Sequence, residues 1–290
     1  MTSTTGRRPR AKPERDRGSL AATLHTPRYS QSLERGLAIL ACFTPAQPSM
    51  RLADIADKLG LSRSTTHRYA TTLVALGFLE QSPSRRYRLG PRVIDLGMTA
   101  LNSTGLREHA HPYLEELRKQ SSYTVNLAVL DGTEILCVDR VRSFRREQSK
   151  IDLDLRPGSR LPAYCTAMGK LLLANLPERE QSELLAELKL TKRGPNTLTS
   201  RKALREQLDE VRAAGFAVND EELAPELYAI AGPIHNEARE VIAAVNLTAH
   251  TSMISLSELV DALSPQLLST ADSISAQLGY RREDETPSRR

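Results

Sequence analysis

Tryptophan is absent, and aromatic side chains make up only 4% of the 290 residues. That scarcity argues against a single-strand nucleic-acid binder built on stacked rings. The three cysteines, Cys42, Cys137 and Cys165, show no CxxC spacing and no even framework, so a reduced, cytoplasmic setting is expected. No run of 18 apolar residues occurs, so no membrane span is expected. No apolar signal segment opens the chain. A phosphate-cradling Gly loop, a nucleophile–base pair and a metal-spaced His/Cys cluster are also missing. His109 and His111 are two apart and fall on different helix faces. No cofactor, metal or catalytic residue is therefore expected.

What is present is segregated charge. Residues 1–90 hold 15 Lys and Arg against 6 Asp and Glu, a net +9; residues 91–290 hold 25 against 29, a net −4. A basic front joined to a mildly acidic remainder is the footprint of a nucleic-acid module attached to something else. The length suits two domains.

The basic part centres on Leu52–Gly77. Leu52, Ile55, Ala56 and Leu59 recur at helical spacing. Gly60 supplies a left-handed stop and Ser62 an N-cap for a second helix. In that helix Tyr69, Leu73 and Leu76 share one side. The other side carries Arg63, Ser64, His67, Arg68 and Thr71. Two readings fit, an ordinary helical hairpin and a helix-turn-helix whose second helix enters the major groove. The next segment decides between them. Phe78–Leu89 reads as two short strands around Ser82-Pro83-Ser84, with Arg85, Arg86 and Arg88 at or after the turn. A cationic hairpin after a recognition helix is a wing that can reach the phosphate backbone or the minor groove. With a first helix at 30–43, buried through Leu33, Leu37, Ile39, Leu40 and Phe43, this predicts a winged helix-turn-helix over 28–90. Residues 1–27 read as a disordered tail; its Arg7, Arg8, Arg10, Lys12, Arg15 and Arg17 either add DNA affinity or only solubilise.

A connector helix is expected over 91–105, with apolar surface enough to pack against a partner chain, then a second domain over 106–280 and a charged tail at 281–290. Leu106–Gln120 is helical. Val125–Leu130 and Glu134–Val138 form a hairpin around Asp131-Gly132. A strand at Ile151–Leu155 follows an Arg-rich loop (Arg140, Arg142, Arg145, Arg146). The run from Arg156 to Ala174 is a loop entering a helix with small residues at its start. That leaves room for a ligand, and the free N–H groups favour an anion. Helices at 178–188 and 201–214, strands at 216–219, 228–234 and 241–248, and a helix at 257–278 complete an α+β pattern.

Laid out in this order, the chain resembles the IclR family of bacterial transcriptional regulators over Tyr29–Gly279. The segments that carry the resemblance are SLERGLAIL, LADIADKLGLSRSTTHRYATTLVALGF, YRLGPRVIDLG, GSRLPAYCTAMGKLLLA, GFAVNDEEL and AAVNLTAH. The RPGSRLPAYCTAMGKLLLA block looks most like the branch controlling aromatic catabolism through the β-ketoadipate pathway. The resemblance implies a GAF-like effector domain, homodimers built through the DNA-binding domain and connector, and pairing into tetramers. It also implies a pocket that includes Leu161, Ala167, Met168, Asn219, Leu227, Ala229, Asn246 and Thr248. The family often has Cys where Ala229 stands, and Ser where Asn246 and Thr248 stand. The aromatic branch commonly has Arg near Tyr228, and its absence puts a dicarboxylate effector in doubt.

The expected function is that of a regulator. Double-stranded operator DNA is gripped through Arg63, Ser64, Thr65, His67 and Arg68, with Arg85, Arg86 and Arg88 on the backbone. A small organic acid modulates it, and the branch resemblance implies an aromatic one. Asn246 and Thr248, two apart on a strand, face one side and offer a ligand hydrogen bonds. Cys165 reads as inert packing and Asp220-Glu221-Glu222 as a solvated acidic turn. The rival readings are an enzyme acting on a small organic acid with an appended DNA-binding domain, and an architectural DNA binder without a ligand.

Overall fold

The computed structural model describes residues 29–102, 105–144 and 155–281. The basic tail, Arg145, Arg146, most of the expected strand at Ile151–Leu155 and the charged C-terminal tail lie outside the described residues. The chain divides into two compact units between Gly97 and Met98.

In the first unit, helix α1 (Gln31–Leu40) is capped by Ser30, whose hydroxyl accepts from the Leu33 N–H. Helices α2 (Leu52–Leu59) and α3 (Arg63–Ala75) follow. Strands β2 (Leu79–Gln81) and β3 (Arg86–Leu89) form the hairpin. A two-residue strand β1 (Met50–Arg51), which sequence reasoning missed, pairs with β3. It gives the order β1-β3-β2. Ile39, Met50, Ile55, Ala70, Leu79 and Tyr87 make the core. Two expected core residues lie outside it: Leu33 and Leu37 are 63% and 57% exposed, and Leu76, on the apolar side of the second helix, is 54% exposed. α1 meets the core through Ile39, with Cys42 and Phe43 just beyond its end, and at 100° per residue Leu33 and Leu37 fall on a different face.

Helix α4 (Arg92–Asn102) contains the division between the units. Its Ile94, Leu96 and Met98 are exposed.

The second unit is built on a six-stranded antiparallel sheet. Its strands are β4 (Thr124–Asp131), β5 (Glu134–Val141), β6 (Arg160–Pro162), β7 (Ala217–Asp220), β8 (Leu227–His235) and β9 (Val241–His250). They lie in the order β6-β5-β4-β9-β8-β7. Asp131 is the last residue of β4, so the two-residue hairpin loop is Gly132-Thr133, one position later than expected; Gly132 takes φ +60°.

Side chains alternate across the sheet. Val125, Leu127, Ile230, Val245 and Leu247 face helices α5 (Leu106–Ser121) and α9 (Leu256–Gln277). Ala128, Ala229, Ala231 and Ala244 face helices α6 (Ala167–Ala174) and α8 (Arg201–Ala214). Helix α7 (Glu178–Glu187) adds Leu185 to that second layer. Small residues on this face let α6 approach the strands closely. The same parity puts Asn126, Asn246 and Thr248 on the α6 side.

Candidate nucleic-acid interface and ligand cleft

The turn between α2 and α3 forms as its residues dictate. Gly60 takes φ +66°, and the Leu61 N–H reaches the Ala56 carbonyl at 3.0 Å. That closes α2 with a left-handed cap. The Ser62 hydroxyl accepts from the Thr65 N–H at 3.1 Å and lies 2.8 Å from its hydroxyl. Thr65 is half-buried and occupied by that cap. Arg63, Ser64, His67, Arg68 and Thr71 are exposed along the outer side of α3. No acidic residue occurs anywhere in α3, so this face repels no phosphate. The Arg68 guanidinium sits 5.7 Å from the Tyr69 ring centre.

The three wing arginines differ. Arg85 stands at the exposed tip with φ +56°. Arg88 is ion-paired with Glu80 at 2.6 Å, with both side chains largely exposed. Such a pair is worth about 0–1 kcal/mol, so a phosphate competes readily for Arg88. Arg86 is half-buried and holds the unit together: its Nε donates to Ser49 Oγ at 3.0 Å and its Nη2 to the Ser49 carbonyl at 2.7 Å. Arg86→Ala is expected to destabilise the first unit by about 1–2 kcal/mol. Arg85→Gln should change stability by no more than about 0.5 kcal/mol and lower the salt slope of DNA binding by about one. Denaturant melts and binding titrations over a salt series check both; a stable Arg86→Ala would return Arg86 to the DNA-facing set.

In the second unit a cleft opens between the sheet and the start of α6. All eight residues expected there from the resemblance line it: Leu161, Ala167, Met168, Asn219, Leu227, Ala229, Asn246 and Thr248. Asn126, Ile135, Leu155, Thr166 and Leu223 complete the wall. Asn126 was legible in principle, because it sits opposite Asn246 in the β4–β9 register. That pairing is long-range and invisible to local pattern.

The entry to α6 is tight. Residues 163–165 make a 3₁₀ turn, and the Thr166 hydroxyl accepts from the Gly169 N–H at 3.1 Å. A Cβ on Gly169 would lie 2.2 Å from the Ala163 carbonyl oxygen, so only glycine fits. Among the described residues the lining carries no charged side chain. The cavity holds about 30 Å³, room for a water or two. A ligand of ten or so heavy atoms therefore requires its walls to part. Larger hollows lie between α7 and α8, beside Arg205 and Asp209, and between α5 and α9, beside Pro265 and Ser269. The first is lined largely by polar groups and the second by a mixture of polar and apolar ones, whereas the small cleft has mainly apolar walls with three buried amides set into them.

Beside the cleft lies a buried ion pair. Lys170, on α6, and Glu222, after β7, are 0% and 3% exposed, and the ammonium donates to Glu222 Oε1. Glu222 is thus neither solvated nor part of a surface turn, contrary to expectation. Burial pushes the Lys170 pKa down and the Glu222 pKa up, each opposed by the partner's charge. The thiols of Cys137 and Cys165 are pushed up to about 11, chiefly by burial, so little reactive thiolate forms near neutrality. Among the described residues no group of three His, Cys, Asp or Glu is placed to hold a metal ion. No described helix is long and apolar enough to cross a membrane.

Residues 98–276 match the family model described as the bacterial transcriptional regulator IclR C-terminal domain, and residues 32–83 match the IclR helix-turn-helix domain. The Pca regulon regulatory protein of Pseudomonas putida is 36% identical over 252 residues, 87% of this chain and 85% of that protein. The p-hydroxybenzoate hydroxylase transcriptional activator of Acinetobacter baylyi is 32% identical over 87% of this chain and 93% of its own. Among solved structures, an IclR homolog from Microbacterium hydrocarbonoxydans complexed with 4-hydroxybenzoate superposes with a TM-score of 0.75. It is 28% identical, with 85% of this chain and 98% of that chain covered.

Proposed function

The chain belongs to the IclR family of bacterial transcriptional regulators, and from that premise we propose how it binds its operator and senses its effector. It is a DNA-binding regulator with an N-terminal helix-turn-helix and a C-terminal effector domain. In our reading α3 enters the major groove with Arg63, Ser64, His67 and Arg68 toward the bases. Thr65 grips near the helix start, and Arg85 and Arg88 meet phosphates. Two protomers pair through the exposed apolar residues of the first unit and α4, matching a pseudo-palindromic site. Dimers pair in turn into tetramers.

The effector we propose is a small aromatic carboxylic acid. The observation that carries this is the cleft itself: apolar walls, buried neutral amides, no charged lining residue among those described, and the start of α6 at one end. Leu161, Leu227 and Met168 suit a flat apolar body. The N–H groups of Ala167 and Met168, in the first turn of α6, suit a carboxylate. Among the described residues the wall holds no cation of the kind a second carboxylate would call for, which favours a monocarboxylate over a dicarboxylate. Two relatives named for Pca and p-hydroxybenzoate regulation, and a structural neighbour holding 4-hydroxybenzoate, support the same class. Binding shifts the population of protomer arrangements that fit the two half-sites. We read the unit as a sensor without turnover.

The test is a thermal-shift screen of the purified chain with aromatic monocarboxylates, muconate and β-ketoadipate. At a hundred times Kd the expected gain is about 2.7 kcal/mol, or roughly 5–10 °C for a unit of this size. Asn246→Leu should remove the shift while operator binding without ligand stays intact. A shift with dicarboxylates alone would overturn the aromatic reading. Consumption of the acid would favour the enzyme, and no response to any acid the architectural binder.

A further inference from the structure

The cleft offers hydrogen-bond acceptors that lack donors. Asn219, on β7, is 1% exposed, and its Nδ2 donates to the Cys165 carbonyl at 2.7 Å. A carbonyl only accepts, so the amide orientation is settled: the amino group faces Cys165, and Oδ1 is left buried without a partner among the described residues. Across the cleft Asn126 and Asn246 are register partners joined by one amide–amide bond of 2.8 Å. Their two amides can be turned together without losing that bond. Either way the pair leaves one carbonyl oxygen and one amino group over. In the assigned orientation the oxygen is Asn126 Oδ1, on a residue 1% exposed, and it too has no partner among the described residues.

We propose that these oxygens, Asn219 Oδ1 foremost, select effectors that carry a hydrogen-bond donor on the ring, so that the protein responds to hydroxylated aromatic acids and discriminates against analogues of equal size that cannot donate. The inference rests on the aromatic-acid reading above and names the substituent that reading leaves open. Its physical basis is asymmetric. A ring hydroxyl donating to Asn219 replaces whatever water served that oxygen in the empty cleft. A methyl group of similar volume expels the water and leaves a buried acceptor unmet, which is the costly case. Asn219 acts here as a specificity-determining residue.

Wild-type full-length protein decides the matter by calorimetric titration with matched acids. These are 3- and 4-hydroxybenzoate, the corresponding aminobenzoates, which also donate, and the corresponding methylbenzoates, which do not. At one ring position at least, the hydroxy acid is expected to bind tenfold or more tighter than the methyl acid, with the amino acid nearer the former. Asn219→Leu should bring that ratio close to one by weakening the hydroxy acid selectively. Because Asn219 also anchors the Cys165 carbonyl, the wild-type series stands alone if this variant does not fold. Equal or tighter binding of the methyl acids at both positions overturns the inference and leaves the aromatic reading standing. Binding by no member of the series removes both.

Discussion

Arg68→Ala is expected to abolish specific operator binding while leaving the fold intact. Arg68 is exposed on α3 and makes no ion pair among the described residues. Its loss should therefore change stability by no more than about 0.5 kcal/mol. On DNA the same side chain can fork onto a guanine, a contact worth about 1–3 kcal/mol of discrimination. In the proposed dimer that contact is made twice, so the fall in affinity should lie between roughly 30-fold and 10⁴-fold. The measurement is a gel shift at fixed salt, using an operator recovered by in vitro selection with the wild-type protein. Circular dichroism reports the fold. A parallel drop on unrelated DNA, with a salt slope smaller by about one, would assign Arg68 to a phosphate instead. Unchanged affinity would remove Arg68 from the interface.

Lys170→Met should have the largest effect on stability. It leaves the Glu222 carboxylate buried without its ammonium, a loss of about 3–5 kcal/mol. For the second unit that lowers the melting midpoint by roughly 6–20 °C. The loss should depend on pH. Glu222 already has a raised pKa from burial, and without Lys170 it rises further. A carboxyl that holds its proton more tightly when folded destabilises the fold as pH climbs past its unfolded value. The variant should accordingly be closer to wild type at pH 5 than at pH 8. Replacing both partners, Lys170→Met with Glu222→Leu, should recover much of the loss. Equal melting of the single variant and wild type at pH 8 would show that the pair contributes nothing.

The pair also stands next to the cleft. Lys170 lies two residues after Met168 and Glu222 one before Leu223, and both Met168 and Leu223 line the cleft. The Glu222 carbonyl also accepts from the Gly194 N–H at 3.1 Å and the Thr197 hydroxyl at 2.6 Å. The pair thus ties two walls of the cleft to each other and to the loop before α8.

The local parts of the protein were legible in its residues. Gly60, Ser62 and the polar stripe of α3 depend on contacts within a few positions, so spacing alone predicts the turn, the cap and the exposed face. Alternation places Asn246 and Thr248 on one side of a strand for the same reason. Three things were decided only by tertiary structure. Arg86 became a brace because Ser49, 37 positions earlier, comes within reach; nothing in the run of wing arginines separates it from Arg85. Leu33 and Leu37 were left outside the core because a helix with two apolar stripes can dock through only one of them. Asn126 and Glu222 acquired their roles from partners 120 and 52 residues away. Periodicity reports which side of its own element a residue occupies; which groups face it across the fold depends on long-range pairing, and that sets whether an amide or a carboxylate is satisfied, buried or left to a ligand.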